Sequence, residues 1–218
     1  RIYTDFSYFT DDQELAEDVS DLFNHLTGYS EQEEYQSLIV APHGMREGIL
    51  RLIHEQTELA KSGKPARITC KSNALTDPAI IEAFYEASQA GVKIELILRG
   101  ICCLRPGVEG VSENIRVVSI VGRFLEHARV FAFGEGEAEK IYIGSADLMP
   151  RNLDRRVEQV VPLRDTGHIK KVRRILDLQL SDTVNSWELK SDGSFTRLTS
   201  PDGALPIDSQ AAMLEEPG

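Results

Sequence analysis

Residues 66–100 read ARITCKSNALTDPAIIEAFYEASQAGVKIELILRG, and this stretch decides the fold class. ARITC opens it as a strand, which turns into a polar loop at Lys71, Ser72 and Asn73. TDPAIIEAFYEASQAG (76–91) predicts a helix, with Asp77 at the cap, Pro78 in the first turn and Gly91 just past the end. VKIELILRG (92–100) returns as a strongly apolar strand. A strand, a helix and a strand of these lengths fit a parallel pair joined by a crossover.

The pattern extends in both directions. Upstream, YQSLIVAP (35–42) reads as a strand and residues 44–63 as a helix stopped by Gly63, which completes β-α-β-α-β. Further upstream, DDQELAEDVSDLFNHL (11–26) has helical apolar spacing, with Thr10 as its N-cap. Downstream, IRVVSIVG (115–122), ARVFAFG (128–134), KIYIGSA (140–146) and RVEQVVPL (156–163) read as short strands, and residues 166–187 as a last amphipathic helix. The expected fold is α/β, a mixed but mostly parallel sheet flanked by helices on both faces. Three units follow: a mainly helical segment at 1–30, the α/β domain at 31–188, and a polar tail at 189–218 expected to be disordered.

The bulk composition narrows the function classes. The chain has 218 residues, 41% hydrophobic and 27% charged, as in an ordinary globular protein. No apolar run approaches the ~18 residues of a membrane span. Neither a starting Met nor a signal peptide is present, so the chain is expected to begin inside a longer parent. The net charge of −11 argues against nonspecific nucleic-acid binding. The charge is uneven, because residues 2–36 carry no Lys or Arg while arginine is frequent from Arg99 onward. Cys70, Cys102 and Cys103 have no zinc spacing and suit a reducing cytoplasm as small core residues.

In open α/β sheets ligands collect at the carboxyl ends of strands. Three loops sit there: 71–73, 99–107 and 145–156. His127 and Arg129 flank Ala128, and strand alternation points both side chains one way. The Gly144-Ser145 turn follows, with amides and a hydroxyl suited to a phosphate oxygen. A neutral histidine can attack phosphorus or protonate a leaving oxygen, and arginine offers bidentate donors to phosphate. The bland reading is a surface histidine beside salt-bridging arginines. Arg99 and Lys71 read either as strand-end cations or as phosphate contacts. His25, His43, His54 and His168 show no metal spacing. Tyr3 carries no meaning from pattern alone.

HAR followed by IYIGSAD resembles the HxK…GSxN/D signature of the phospholipase D superfamily, with Arg129 in the lysine position and Asp147 where asparagine is common. The superfamily's usual Asp beyond the lysine is not evident, because the GEGE turn (134–137) occupies that region. A longer resemblance covers residues 1–185: YTDFSYFT (3–10), ILRGICCLRPGVEGVSENIRVVSIVGRFLEHARVF (97–131) and YIGSADLMPRNLDRRVE (142–158) resemble the C-terminal part of the ATP-dependent, phospholipase-D-like polyphosphate kinases.

That resemblance implies a phospholipase-D-like half facing a second half upstream. The upstream half would hold the phosphorylated histidine and the Mg²⁺ site, with no metal ligands in this chain. It further implies that Tyr3, Arg99 and His127 contact ATP, that His127 is a general acid or base, and that Arg156 is a phosphate contact. Lys71, Asn73, Arg129 and Ser145 are candidates for a polyphosphate path. Implied partners are ATP, ADP, polyphosphate, the upstream domains and a second copy of the chain, as a dimer or tetramer. The setting is cytoplasmic, with at most peripheral membrane contact. The competing readings are a phosphodiesterase or nuclease half-site and a non-catalytic interaction domain.

Overall fold

The structure, a computed structural model, describes residues 2–29 and 34–215. Its centre is the stretch quoted above. β3 (Arg67–Ser72) and β4 (Lys93–Leu98) are parallel neighbours, and α3 (Pro78–Gln89) makes the crossover. Asp77 caps α3 by accepting from the Ile80 amide at 3.1 Å. β5 (Ile115–Ile120) adds to β4, also parallel.

Around this core β2 (Ile39–Ala41), β7 (Arg129–Phe133), β8 (Lys140–Gly144), β9 (Glu158–Pro162), β10 (Ser186–Leu189) and β11 (Phe195–Arg197) complete nine strands, in the order β11-β10-β5-β4-β3-β7-β8-β9-β2. The sheet is mixed, but the expected preponderance of parallel pairing is corrected. Only β3–β4 and β4–β5 are parallel, and the other six pairings are antiparallel. One reason is that β7 and β8 are joined by a short connection, which only antiparallel neighbours permit, whereas the β8–β9 connection carries a short helix, α4 (Pro150–Asp154). β2 lies at the far edge beside β9 and does not pair with β3, so the first β-α-β unit is not a neighbouring pair.

Helices cover both faces. Alternation in β4 sends Ile94, Leu96 and Leu98 toward α2 (Met45–Lys61) and α3, where they meet Ile49, Ile53, Ile80 and Phe84. Ile97 belongs to the opposite layer with Val118, Val130 and Ala132, packed on Val172 and Leu176 of α5 (Thr166–Leu180). Burial pushes the Cys70 thiol up, and that of Cys102 up to about 11, which suits unreactive packing at these two positions. α1 (Gln13–Leu26) is capped by Asp12, not by Thr10. Its buried Asp18 accepts from the amides of Gln36, Ser37 and Leu38, and so fixes the lead-in to β2.

The tail is ordered where disorder was expected. The predicted last helix stops at Leu180, and the chain continues into the β10–β11 hairpin and α6 (Ser209–Glu215). Asp182 does much of the tying. It is fully buried and accepts from the amides of Val184, Asn185 and Ser209 and from the Ser209 hydroxyl. Charge-assisted bonds to buried amides are among the stronger ones. Replacing Asp182 with Ala strands these donors, at a cost of roughly 3 kcal/mol. Asp182→Ala is therefore expected to raise hydrogen–deuterium exchange across 199–215 while β3, β4 and β5 keep their protection. Unchanged exchange in the tail would show that Asp182 does not hold it.

Candidate active site

Register brings the site together. Ser72 stands beside Leu98, Lys71 beside Val130, and Arg129 beside Gly144. The carboxyl ends of β3, β4 and β8 therefore meet the start of β7 at one end of the sheet. Isolated bridges from Leu75 to Cys102 and Leu148 tie the three predicted loops to one another.

Before β7 lies β6 (Leu125–Glu126), which pairs in parallel with β1 (Tyr3–Thr4). The His127 amide donates to the Thr4 carbonyl at 3.0 Å. This pairing places Tyr3 edge-on to the His127 ring, with centroids 5.0 Å apart, and Asp5 Oδ2 2.7 Å from His127 Nδ1. With Nδ1 facing a carboxylate, Nε2 is the ring nitrogen left for a ligand. His127, Arg129, Gly144, Ser145 and Gln159 line a cleft of about 520 Å³ with the N-terminal segment. Tyr3, Lys71 and Glu126 line a larger neighbouring one of about 910 Å³.

Two buried carboxylates organise what lies behind these walls. Glu126 receives Lys71 Nζ, Gln179 Nε2 at 2.8 Å, Gln210 Nε2 at 2.7 Å and, more weakly, the Thr4 hydroxyl at 3.3 Å. Asp147 receives the Ser72 hydroxyl (3.0 Å), the Asn73 amide (2.9 Å) and Arg129 Nε (3.1 Å). Arg129 also donates to the His127 carbonyl, and Arg99 donates to the Glu126 carbonyl (3.1 Å) and to Asn73 Oδ1 (2.6 Å). Burial pushes the Lys71 ammonium below its ordinary pKa, and the adjoining Glu126 carboxylate opposes that shift.

Seven of the eight predicted residues thus gather at one end of the sheet. Tyr3, His127, Arg99, Asn73 and Ser145 keep surface there. Lys71 and Arg129 touch the clefts, but each charge is already matched by a buried carboxylate. Arg156 stands apart: its ion pair is with Glu158 at 3.8 Å, not with any of the other seven. The Gly-Ser turn has a packing reason, since a Cβ on Gly144 would lie 2.1 Å from the Gln159 carbonyl oxygen. The Ser145 amide is used in the sheet, donating to that oxygen at 3.1 Å, while its hydroxyl accepts from the Gln159 amide at 3.3 Å. Sequence reasoning missed Asp5, Glu126, Gln179 and Gln210. Only Glu126 had a signal, an acid directly ahead of the histidine in a stretch that becomes buried strand.

A family model described as polyphosphate kinase C-terminal domain 2 matches residues 38–210. The chain belongs to the polyphosphate kinase family. It is 51% identical over 196 residues to polyphosphate kinase 1 of Chlorobaculum tepidum, covering 90% of this chain and 28% of that protein. It is 46% identical over 214 residues to the polyphosphate kinase of Streptomyces coelicolor, covering 98% and 29%. The crystal structure of polyphosphate kinase from Porphyromonas gingivalis superposes with a TM-score of 0.89 at 38% identity, over 94% of this chain and 31% of that one. The chain spans 26% to 31% of the length of the curated relatives it matches. Among the described residues of this polyphosphate kinase domain, no group of three or more His, Cys, Asp or Glu side chains is placed to hold a metal ion, and no helix is long and apolar enough to cross a membrane.

Loss of Asp147 should be costly to folding. Asp147→Ala leaves Arg129 buried without a counter-charge, a defect that typically costs about 3–5 kcal/mol. Chemical denaturation should report that loss, and Asp147→Asn should recover part of it by keeping an acceptor for Ser72 and Asn73. Equal stability of Asp147→Ala and the parent would mean that the pair carries no weight.

Proposed function

We propose that the chain forms the C-terminal part of a polyphosphate kinase active site, which transfers the terminal phosphate of ATP reversibly to a polyphosphate chain by way of a phosphohistidine on an upstream domain. The observation that carries this reading is the placement of His127, with its ring between Asp5 and Tyr3 and its flanking carbonyls held by Arg99 and Arg129.

Phosphoryl transfer asks for in-line positioning and neutralisation of oxygen charge. In the forward direction the bond from the γ-phosphorus to the β–γ bridging oxygen breaks as a nitrogen–phosphorus bond forms on the upstream histidine. The ADP oxygen leaves with the electron pair. His127, protonated on Nε2, donates a proton or a hydrogen bond to that oxygen, while Asp5 balances the imidazolium through Nδ1. Arg99 has N–H groups beyond the two it uses internally, and these serve the phosphate oxygens. Tyr3 offers its ring to the nucleotide. In the second half-reaction the phosphoryl group passes to a terminal oxygen of polyphosphate, regenerating the histidine.

The polyphosphate path runs past Asn73 and Ser145. Lys71 and Arg129 supply background charge and shape from behind, and Arg156 is a peripheral contact. Mg²⁺ accompanies the phosphates of ATP. On this reading its protein ligands belong to the upstream domain. The complete enzyme is read as a cytoplasmic homo-oligomer, a dimer or tetramer. A phosphodiesterase half-site is disfavoured because the cation at position 129 is committed to Asp147.

The test is synthesis of acid-insoluble polymer from γ-labelled ATP and Mg²⁺ by the complete polypeptide, with His127→Ala beside it. Loss of a positioned general acid typically lowers the rate by about 10²–10⁴-fold, so the variant should fall that far while its melting temperature holds. Robust polymer from the folded variant would remove His127 from the mechanism. The chain alone should make none, because half of the proposed site is elsewhere. Polymer from the isolated chain would sink the two-half arrangement.

A further inference from the structure

The end of the chain delivers one side chain to the centre of the molecule. Gln210, on α6, is 4% exposed. Its Oε1 accepts from the Phe124 amide at 3.0 Å, and its Nε2 donates to the Phe124 carbonyl at 3.1 Å and to Glu126 Oε1 at 2.7 Å. An amide that both donates to and accepts from one residue's backbone acts as a one-residue strand partner. It fixes residue 124 in place and, through the third bond, residue 126. His127 follows directly, with its amide on Thr4 and its carbonyl on Arg129. The berth for this amide is shaped to fit, since a Cβ on Gly122 would lie 2.5 Å from Gln210 Oε1. Sequence composition had set this whole segment aside.

We propose that Gln210 is a positioning residue for His127, acting through Glu126 and the Phe124 backbone, so that the C-terminal segment belongs to the phosphoryl-transfer site. The inference rests on the kinase reading for its effect on rate, but not for its effect on the histidine itself. The groups that face Glu126 are Lys71 from β3, Thr4 from β1, Gln179 from α5 and Gln210 from α6, with Arg99 on its carbonyl. Asp5 and Arg129 act electrostatically on the same Lys71, and Lys170, Lys171 and Arg174 of α5 line the adjoining cleft.

Two substitutions separate positioning from bulk. Gln210→Leu keeps the size and removes every polar contact, leaving Glu126 Oε1 without its partner. Gln210→Glu sets a second carboxylate against Glu126. Two such groups at contact distance repel each other when both are ionised at higher pH, and the proton they share at lower pH restores a donor to Glu126.

In the complete polypeptide, Gln210→Leu is expected to lower kcat for polymer synthesis on the order of tenfold. Its ratio to the parent should stay flat with pH. Gln210→Glu is expected to lose as much at about pH 8 and to regain most of it toward about pH 6. A kcat within twofold for folded Gln210→Leu, or a pH-flat ratio for Gln210→Glu, would overturn the proposal. If Gln210→Leu does not fold, the pH series on Gln210→Glu decides alone.

A second measurement is independent of turnover. The rate at which diethyl pyrocarbonate modifies His127, mapped by mass spectrometry, should rise at least threefold in Gln210→Leu, with exposed His54 and His168 unchanged as references. An unchanged His127 rate overturns the positioning role even if the parent makes polymer. A raised rate in a parent that makes none leaves the positioning intact and removes only the kinase reading.

Discussion

A carboxylate buried in the interior has to be answered by donors and counter-charge, or it does not stay there. Glu126 imposes that requirement here, and elements distant in sequence meet it: Thr4 from the first strand, Lys71 from the centre of the sheet, Gln179 from the last long helix and Gln210 from the end of the chain. Asp147 imposes the same requirement a short way off and collects Ser72, Asn73 and Arg129. These two anions explain why residues from separate elements converge behind the histidine, with Arg129 bridging Asp147 and the His127 carbonyl.

Such pairs are poor sources of net stability, because the cost of removing two charges from water offsets much of their attraction. Their value lies in direction. An apolar filling would accept many arrangements of β6 and β7, whereas a carboxylate with four donors accepts few. The cost of burial shows in the depressed pKa of Lys71. The groups around the histidine ring keep their surface, with the side chains of His127 at 40% and Asp5 at 50% exposed, so buried parts carry accessible ones.

The central strand–helix–strand was legible because each boundary carries its own local signal, from Asp77 to Pro78 to Gly91. Pairing partners were not. Nothing within Ile39–Ala41 says that the strand will cross to the far edge beside β9, since that depends on where the β7–β9 meander grows. The tail misled for a different reason. Composition measures apolar content, and this tail is held largely by specific bonds to Asp182 and Glu126, which composition does not see. At the site, His127 and Arg129 stood out by their spacing, but Tyr3 had meaning only through the family resemblance. The neutral amides that hold Glu126 look like ordinary helix residues until the chain is folded.

The parallel pairing of β1 with β6 has a mechanical side. Ile2 and Thr4 accept from Leu125 and His127 through bonds that lie across the strand direction. Tension along the chain ahead of Tyr3 loads both bonds together, in shear, instead of peeling them one at a time. The load would arrive at the backbone amide of the histidine, and at its ring through Asp5. Whatever grips the chain ahead of Tyr3 would therefore have its hand on the position of His127, as a rod does on the lever at its end.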